Sequence, residues 1–253
     1  MSDSKAFEDA RLLVDRAQGH IDELEVGIKG FFADEPWATI VEPNVEKTEY
    51  VYKFRPVQRF DPNLKTIAAD AANNLRSALD HIASECAMLN GAENIKNIHF
   101  PFRPTAAELD KVIAGKDLRD VPSEVLAYFR ALNPHKGGND RLYALTQISA
   151  RNKHWSLTPM FTNVHGIKVI HDDNRQRMVQ TPHWPTSAED DLVLFTSPNA
   201  DEHYQLNILV TVRFDEINGL DKSHPVATLR YLAGVVNDVI DGCEAICQRL
   251  GLL

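Results

Sequence analysis

Two short runs of this chain place Arg, Asn, Asp and His where a helix has no folding reason to want them. The first is Asn73-Asn74-Leu75-Arg76-Ser77-Ala78-Leu79-Asp80-His81. The second is Lys136-Gly137-Gly138-Asn139-Asp140, running on to Arg151-Asn152-Lys153-His154. Asn, Asp and His rank low as helix formers, and places where local rules lose are often sites. On a helix wheel of about 100° per residue, Leu64, Ile67, Ala68, Ala71, Leu75, Ala78, Leu79, Ile82, Cys86 and Leu89 form one apolar face. Asp70, Asn74, Ser77, His81 and Glu85 then fall along one flank of it. A polar row at the edge of burial can stay partly wet, and His81 in it suits a general acid or base, with an unperturbed pKa of ~6.5. The competing reading is an i,i+4 hydrogen-bond ladder that only solvates the helix edge.

In the second run, a glycine-rich entry to a helix can bind an anion through free N–H groups. It lacks the spacing and the Lys-Ser/Thr pair of a phosphate loop, and Asp140 would repel an anion there, so Asn139 or Asp140 reads as a cap. At the far end, Asn152 projects near the centre of the face made by Leu142, Leu145 and Ile148, where a polar group needs a partner. Lys153 and His154 suit the negative end of the helix dipole. The sharper reading has Asn152 and His154 meeting the flank of His81, with the two helices side by side.

The elements that must position these residues follow from periodicity. Helical spacing of Leu12, Leu13, Ala17, Ile21, Leu24 and Ile28 predicts a helix over 5–31. Residues 37–41 and 48–57 read as a hairpin turning at Pro43-Asn44. Asp61-Pro62 starts a helix over 61–90, stopped at Asn90-Gly91. Shorter helices follow over 105–116 and 121–132, then a longer one over 139–152. From Trp155 the period becomes alternating, with strands at 156–162, 167–171, 177–180, 192–196 and 204–214. His165-Gly166 and Asp172-Asp173-Asn174 read as tight turns between them. A helix over 223–250 closes the chain. The expected fold class is α+β: a helical bundle with an antiparallel sheet or meander. It is read as one domain, 1–253, with a helical core of 1–154 plus 223–253 and a strand block of 155–214.

Composition supports a folded domain of ordinary type. Apolar content of 43% and charged content of 25% exclude disorder. No apolar run approaches the ~20 residues a membrane span needs, and the start lacks the basic and apolar regions of a signal peptide. With three cysteines and no disulfide framework, a cytoplasmic address is expected. The net charge of −9 opposes general affinity for nucleic acid, leaving only a local basic groove for it. His81 with Glu85 offers two metal ligands from one helix face. But there is no His-Glu-x-x-His, no zinc-finger Cys pair, no nucleophile elbow and no dinucleotide fingerprint, so no metal or cofactor is expected.

The motifs Asn-Leu-Arg-Ser-Ala-Leu-Asp-His (74–81), Lys-Gly-Gly-Asn-Asp (136–140) and Asn-Lys-His (152–154) together resemble those of a family of uncharacterised bacterial proteins of about this length. The resemblance covers roughly residues 60–160 and brings no assigned activity. Arg76-Ser77-Ala78-Leu79-Asp80-His81 is also similar to the Arg-x₄-His motif of the HEPN superfamily, helical domains that include metal-independent RNases. That resemblance implies Arg76 as phosphate binder and His81 as acid–base group, in an RNA-cleaving or RNA-binding component of a bacterial stress or defence system. Five positions apart, the two side chains diverge by about 140° on a straight helix. They converge through a bend or through a second copy, which makes a homodimer one expected partner beside RNA. The candidate catalytic set is therefore Arg76, His81 and His154. The candidate binding set is Asp70, Asn74, Ser77, Asp80, Glu85, Asn139, Asp140, Asn152 and Lys153. The alternative function is a non-catalytic module for a small ligand or protein partner.

Overall fold

The computed structural model describes residues 6–58, 60–154, 160–173, 175–179, 191–214, 220 and 223–253, with backbone alone at 150–154, 160–166 and 208–211. In chain order the elements are α1 (Glu8–Ala33), β1 (Trp37–Pro43), β2 (Tyr50–Pro56), α2 (Asn63–Leu89), α3 (Ala106–Ile113) and α4 (Ser123–Ala131). Then come α5 (Asp140–His154), β3 (Met160–His171), β4 (Gln176–Val179), β5 (Leu192–Ser197), β6 (Tyr204–Phe214) and α6 (Pro225–Arg249). The class is α+β. Two compact units form: the described residues within Met1–Glu25, Lys65–Pro159 and Phe214–Leu253, and those within Val26–Leu64 and Met160–Arg213. The β1–β2 hairpin, which the sequence groups with the helices, thus belongs to the sheet unit. No helix among the described residues is long and apolar enough to cross a membrane.

α2, which lies in the helical unit from Lys65 onward, carries the predicted punctuation. Asp61 Oδ1 accepts from Asn63 N at 2.8 Å, an N-cap bond. At the other end Ala92 N donates to Ala87 O and Gly91 N to Met88 O, both at 2.9 Å, with Gly91 at φ +92. This is the Schellman stop, and its left-handed residue costs glycine nothing. The predicted apolar face is buried, with Ile67 and Leu89 at its margins. Ala69, Ala72, Ala83 and Ala87 are buried as well, so α2 is covered on more than one side.

The phase of α1 differs from expectation. Its buried stripe in this unit is Phe7, Ala10, Val14, Ala17, Ile21 and Leu24, whereas Leu12 is 58% exposed. Leu12 lies on the opposite side of a helix whose three- and four-residue steps start from Phe7. α1 meets α6 through Arg11, 2.9 Å from Asp241 and 2.6 Å from Glu244, and Arg230, 2.9 Å from Asp22. α2 meets α6 at Cys86 and Cys247, whose sulfurs are 4.0 Å apart. On α6 the Gly242 backbone lies so close to Tyr128 of α4 that a Cβ there would meet its hydroxyl at 2.6 Å. α5 also contacts α6, with Arg141 5.1 Å from the Tyr231 ring centre.

The sheet unit holds two three-stranded antiparallel sheets, ordered β1-β2-β5 and β4-β3-β6. β1 pairs with β2 from Trp37↔Pro56 to Pro43↔Tyr50, and β2 takes β5 as its second neighbour, Tyr50 opposite Ser197. Strand order therefore departs from a simple run in chain order. Asp172-Asp173 is a turn as expected, but His165-Gly166 is not: both lie inside the continuous β3. A glycine weakens a strand interior, and the paired stretch of β3 with β4, Ile167–Ile170 against Gln176–Val179, begins directly after Gly166. An aromatic core of Phe31, Tyr52, Phe54 and Phe195 joins Ile167, Val169 and Leu194. Tyr52 stacks on Phe195 with ring centres 4.3 Å apart. Its phenol donates to Asn199 O and accepts from Glu202 N, both at 2.9 Å, and so braces the β5–β6 loop.

Candidate functional site

The polar flank of α2 lines a groove of about 470 Å³, entirely within the helical unit. Ser77, Asp80, His81 and Glu85 come from the predicted flank and its neighbour, with Ser84 and Met88 beside them. The opposite wall is Asp9 of α1 and the irregular segment Ile95, Lys96, Ile98 and His99, none of which periodicity could have indicated. Two side chains of α2 pin that segment. Asp80 Oδ1 accepts from Phe100 N at 2.9 Å, and Ser84 Oγ donates to Ile98 O at 3.1 Å. His99 Nδ1 then lies 3.8 Å from Asp80 Oδ2, and His81 is exposed on the same groove. Two imidazoles and an ammonium thus share a groove with three carboxylates.

Arg76 is placed differently. Its guanidinium pairs with Asp80 and sits 4.6 Å from the centre of the Phe102 ring, and its side chain is only 17% exposed. It is outside the groove lining, where it fixes Asp80 through an ion pair and a cation–π contact. Of the other predicted residues, Asp70 is exposed, and Asn74 Nδ2 donates back to Asp70 O at 2.9 Å. That pair is the helix-edge ladder, apart from the groove. Asn139 and Asp140 cap: Asn139 Oδ1 accepts from Leu142 N at 3.1 Å and Asp140 Oδ1 from Gly137 N at 2.7 Å. Gly138 is needed for close approach, since a Cβ would meet Asn133 O at 2.8 Å. The side chains of Asn152, Lys153 and His154 lie outside the described residues, and with them the expected meeting with His81.

Glu85 joins the groove to the start of α1. Its Oε1 accepts from Phe7 N at 2.6 Å, and Phe7 holds φ +61, a left-handed conformation costing a non-glycine residue roughly 1–3 kcal/mol. Burial pushes the Glu85 carboxyl above the usual glutamate range. Asp9 pushes the same way, against the Phe7 N–H and His81. A carboxyl raised on folding contributes stability in full below its unfolded pKa and loses it as pH rises through the folded value. Glu85→Gln keeps an oxygen for Phe7 N and removes the charge. It should therefore melt higher than wild type near pH ~7, with the gap closing toward pH ~4. Calorimetry at both pH values checks this, and an equal gap at the two would refute it.

Among the described residues no group of three or more His, Cys, Asp or Glu side chains is placed to hold a metal ion. Comparison with family models, curated proteins and solved structures finds no match.

Proposed function

We propose that this groove is an acid–base site for metal-independent cleavage of RNA, in a HEPN-like helical protein of the bacterial cytoplasm. The observation that carries it is the presence of His81 and His99 on one groove, with Asp80 beside His99. Cleavage within RNA needs a base to take the 2′-hydroxyl proton and an acid to protonate the departing 5′-oxygen. Two imidazoles supply both roles, and Lys96 on the same groove is the cation for the phosphate. Arg76 is a positioning residue here, acting through Asp80, in place of the phosphate contact its motif implies.

The test is full-length protein with mixed RNA in chelator. Wild type should cut, and His81→Ala and His99→Ala should each slow cutting by about 10²-fold. Intact RNA with wild type, or histidine variants that cut at the wild-type rate, would sink the reading.

A second reading is favoured by Asp9, Asp80 and Glu85 outnumbering Lys96 in the groove lining. That balance suits a non-catalytic module for a small cationic ligand. Saturable thermal stabilisation by spermidine, lost in Glu85→Gln and accompanied by inert RNA, would select it.

A further inference from the structure

We infer that the Asp9 and Met88 end of the helical groove is a seat for one unpaired guanine base. The inference rests on the reading of this groove as an RNA site, and it names the base that lies beside the phosphodiester at the histidine end.

The groove has two chemically different ends along α2. His81, Glu85 and Met88 follow one another at steps of four and three residues, so they share one face of the helix. Met88 stands about 10 Å beyond His81 along the axis, the reach of a single nucleotide from its phosphate to the far edge of its base. Met88 is 48% exposed, and the half-buried Ile95 lies on the same lining. Together they give an aromatic base an apolar seat. The volume of about 470 Å³ is room for a ligand of nucleoside size.

The polar groups beside that seat are carboxylates, and they differ in what already holds them. Asp80 is committed to Phe100 N and Arg76, and Glu85 Oε1 to Phe7 N. Asp9 lies two residues after Phe7, exposed in the first turn of α1, and makes no hydrogen bond or ion pair with another described residue. A carboxylate can only accept hydrogen bonds. Guanine is the one standard RNA base whose pairing edge sets two donors side by side, N1–H and the N2 amino group, to match two carboxylate oxygens. Adenine and cytosine put a ring acceptor next to their amino group, and uracil flanks its single N–H with two carbonyls. Each of these turns a lone pair toward Asp9. Pairing with cytosine would occupy both guanine donors, so the base must be unpaired. The carboxylates that oppose a polyanion thus select an uncharged base at this end. Were Asp9 only a favourable charge at the start of α1, Met88 and Ile95 would have no part in its role.

The experiment titrates the full chain with nucleosides, which are uncharged, so the net charge of the groove does not enter. The readout is the ¹³C–¹H signal of the Met88 ε-methyl, one of four methionines, assigned through Met88→Leu. Guanosine should shift that signal and bind about tenfold more tightly than inosine, which lacks only the N2 amino group, with adenosine weaker still. Asp9→Asn should erase the guanosine preference and leave the melting temperature unchanged, because the side chain is exposed. Equal affinity for guanosine and inosine, or a preference that survives Asp9→Asn, would overturn the proposal. The RNA assay separates it from the cleavage reading. Cutting without regard to a guanine beside the broken bond sinks the guanine seat and leaves cleavage standing. Guanosine selectivity in a protein that leaves RNA intact does the reverse.

Discussion

Asp80→Ala should lower the stability of the helical unit by about 3 kcal/mol, measured by urea unfolding of the full chain. The substitution leaves the Arg76 guanidinium without its carboxylate and the Phe100 N–H without its acceptor. Both groups are largely shielded from water, so neither loss is made good by solvent. Adding Arg76→Leu to Asp80→Ala should recover part of the loss, because an unpaired, desolvated charge is removed with it. His81→Ala should leave stability near wild type, since the ring is exposed on the groove. An Asp80→Ala variant as stable as His81→Ala would show that Asp80 does not pin the 98–102 segment. The same pair of variants separates scaffold from chemistry in the RNA assay, since only the first should alter folding.

Tyr52→Ala should cost about 4 kcal/mol in the sheet unit. The side chain is fully buried, stacks on Phe195 and meets Tyr204 edge-on with ring centres 5.3 Å apart. Tyr52→Phe isolates the hydroxyl and should cost about 1–2 kcal/mol, because Asn199 O and Glu202 N lose their partner at once. Near-UV circular dichroism during denaturation follows the aromatic cluster directly. If Tyr52→Phe unfolds like wild type, the phenol does not brace the β5–β6 loop.

What could be read in advance was whatever is local. Asp61 and Gly91 announce the ends of α2 because a cap needs only a side-chain oxygen and a stop needs only a left-handed residue. The flank of Ser77, His81 and Glu85 was legible because helix geometry alone puts them in a row. The other wall was not. Lys96 and His99 sit on a segment without periodicity, brought to α2 by the Asp80 and Ser84 hydrogen bonds. Asp9 arrives through the bond from Phe7 to Glu85. Arg76 was misleading for a related reason: its i,i+4 pair with Asp80 is local to α2, but the Phe102 ring that covers its guanidinium is placed by the 99–102 segment. Among the strands, alternation found the pieces. It could not show that β5 joins the β1–β2 hairpin, nor that β3 runs through Gly166, because ladder partners are chosen over long separations.

The chain's three sulfhydryls all lie inside the helical unit with no exposed surface. Burial pushes the Cys247 thiol up to about 12, and the Cys243 contact together with burial raises Cys86 as well. Since the thiolate is the reactive form, the native fold conceals all three thiols of this chain. A sulfhydryl reagent in solution is thereby turned into a clock for the parting of α2 from α6. The rate at which label appears counts openings of that seam, and it does so without any change to the sequence.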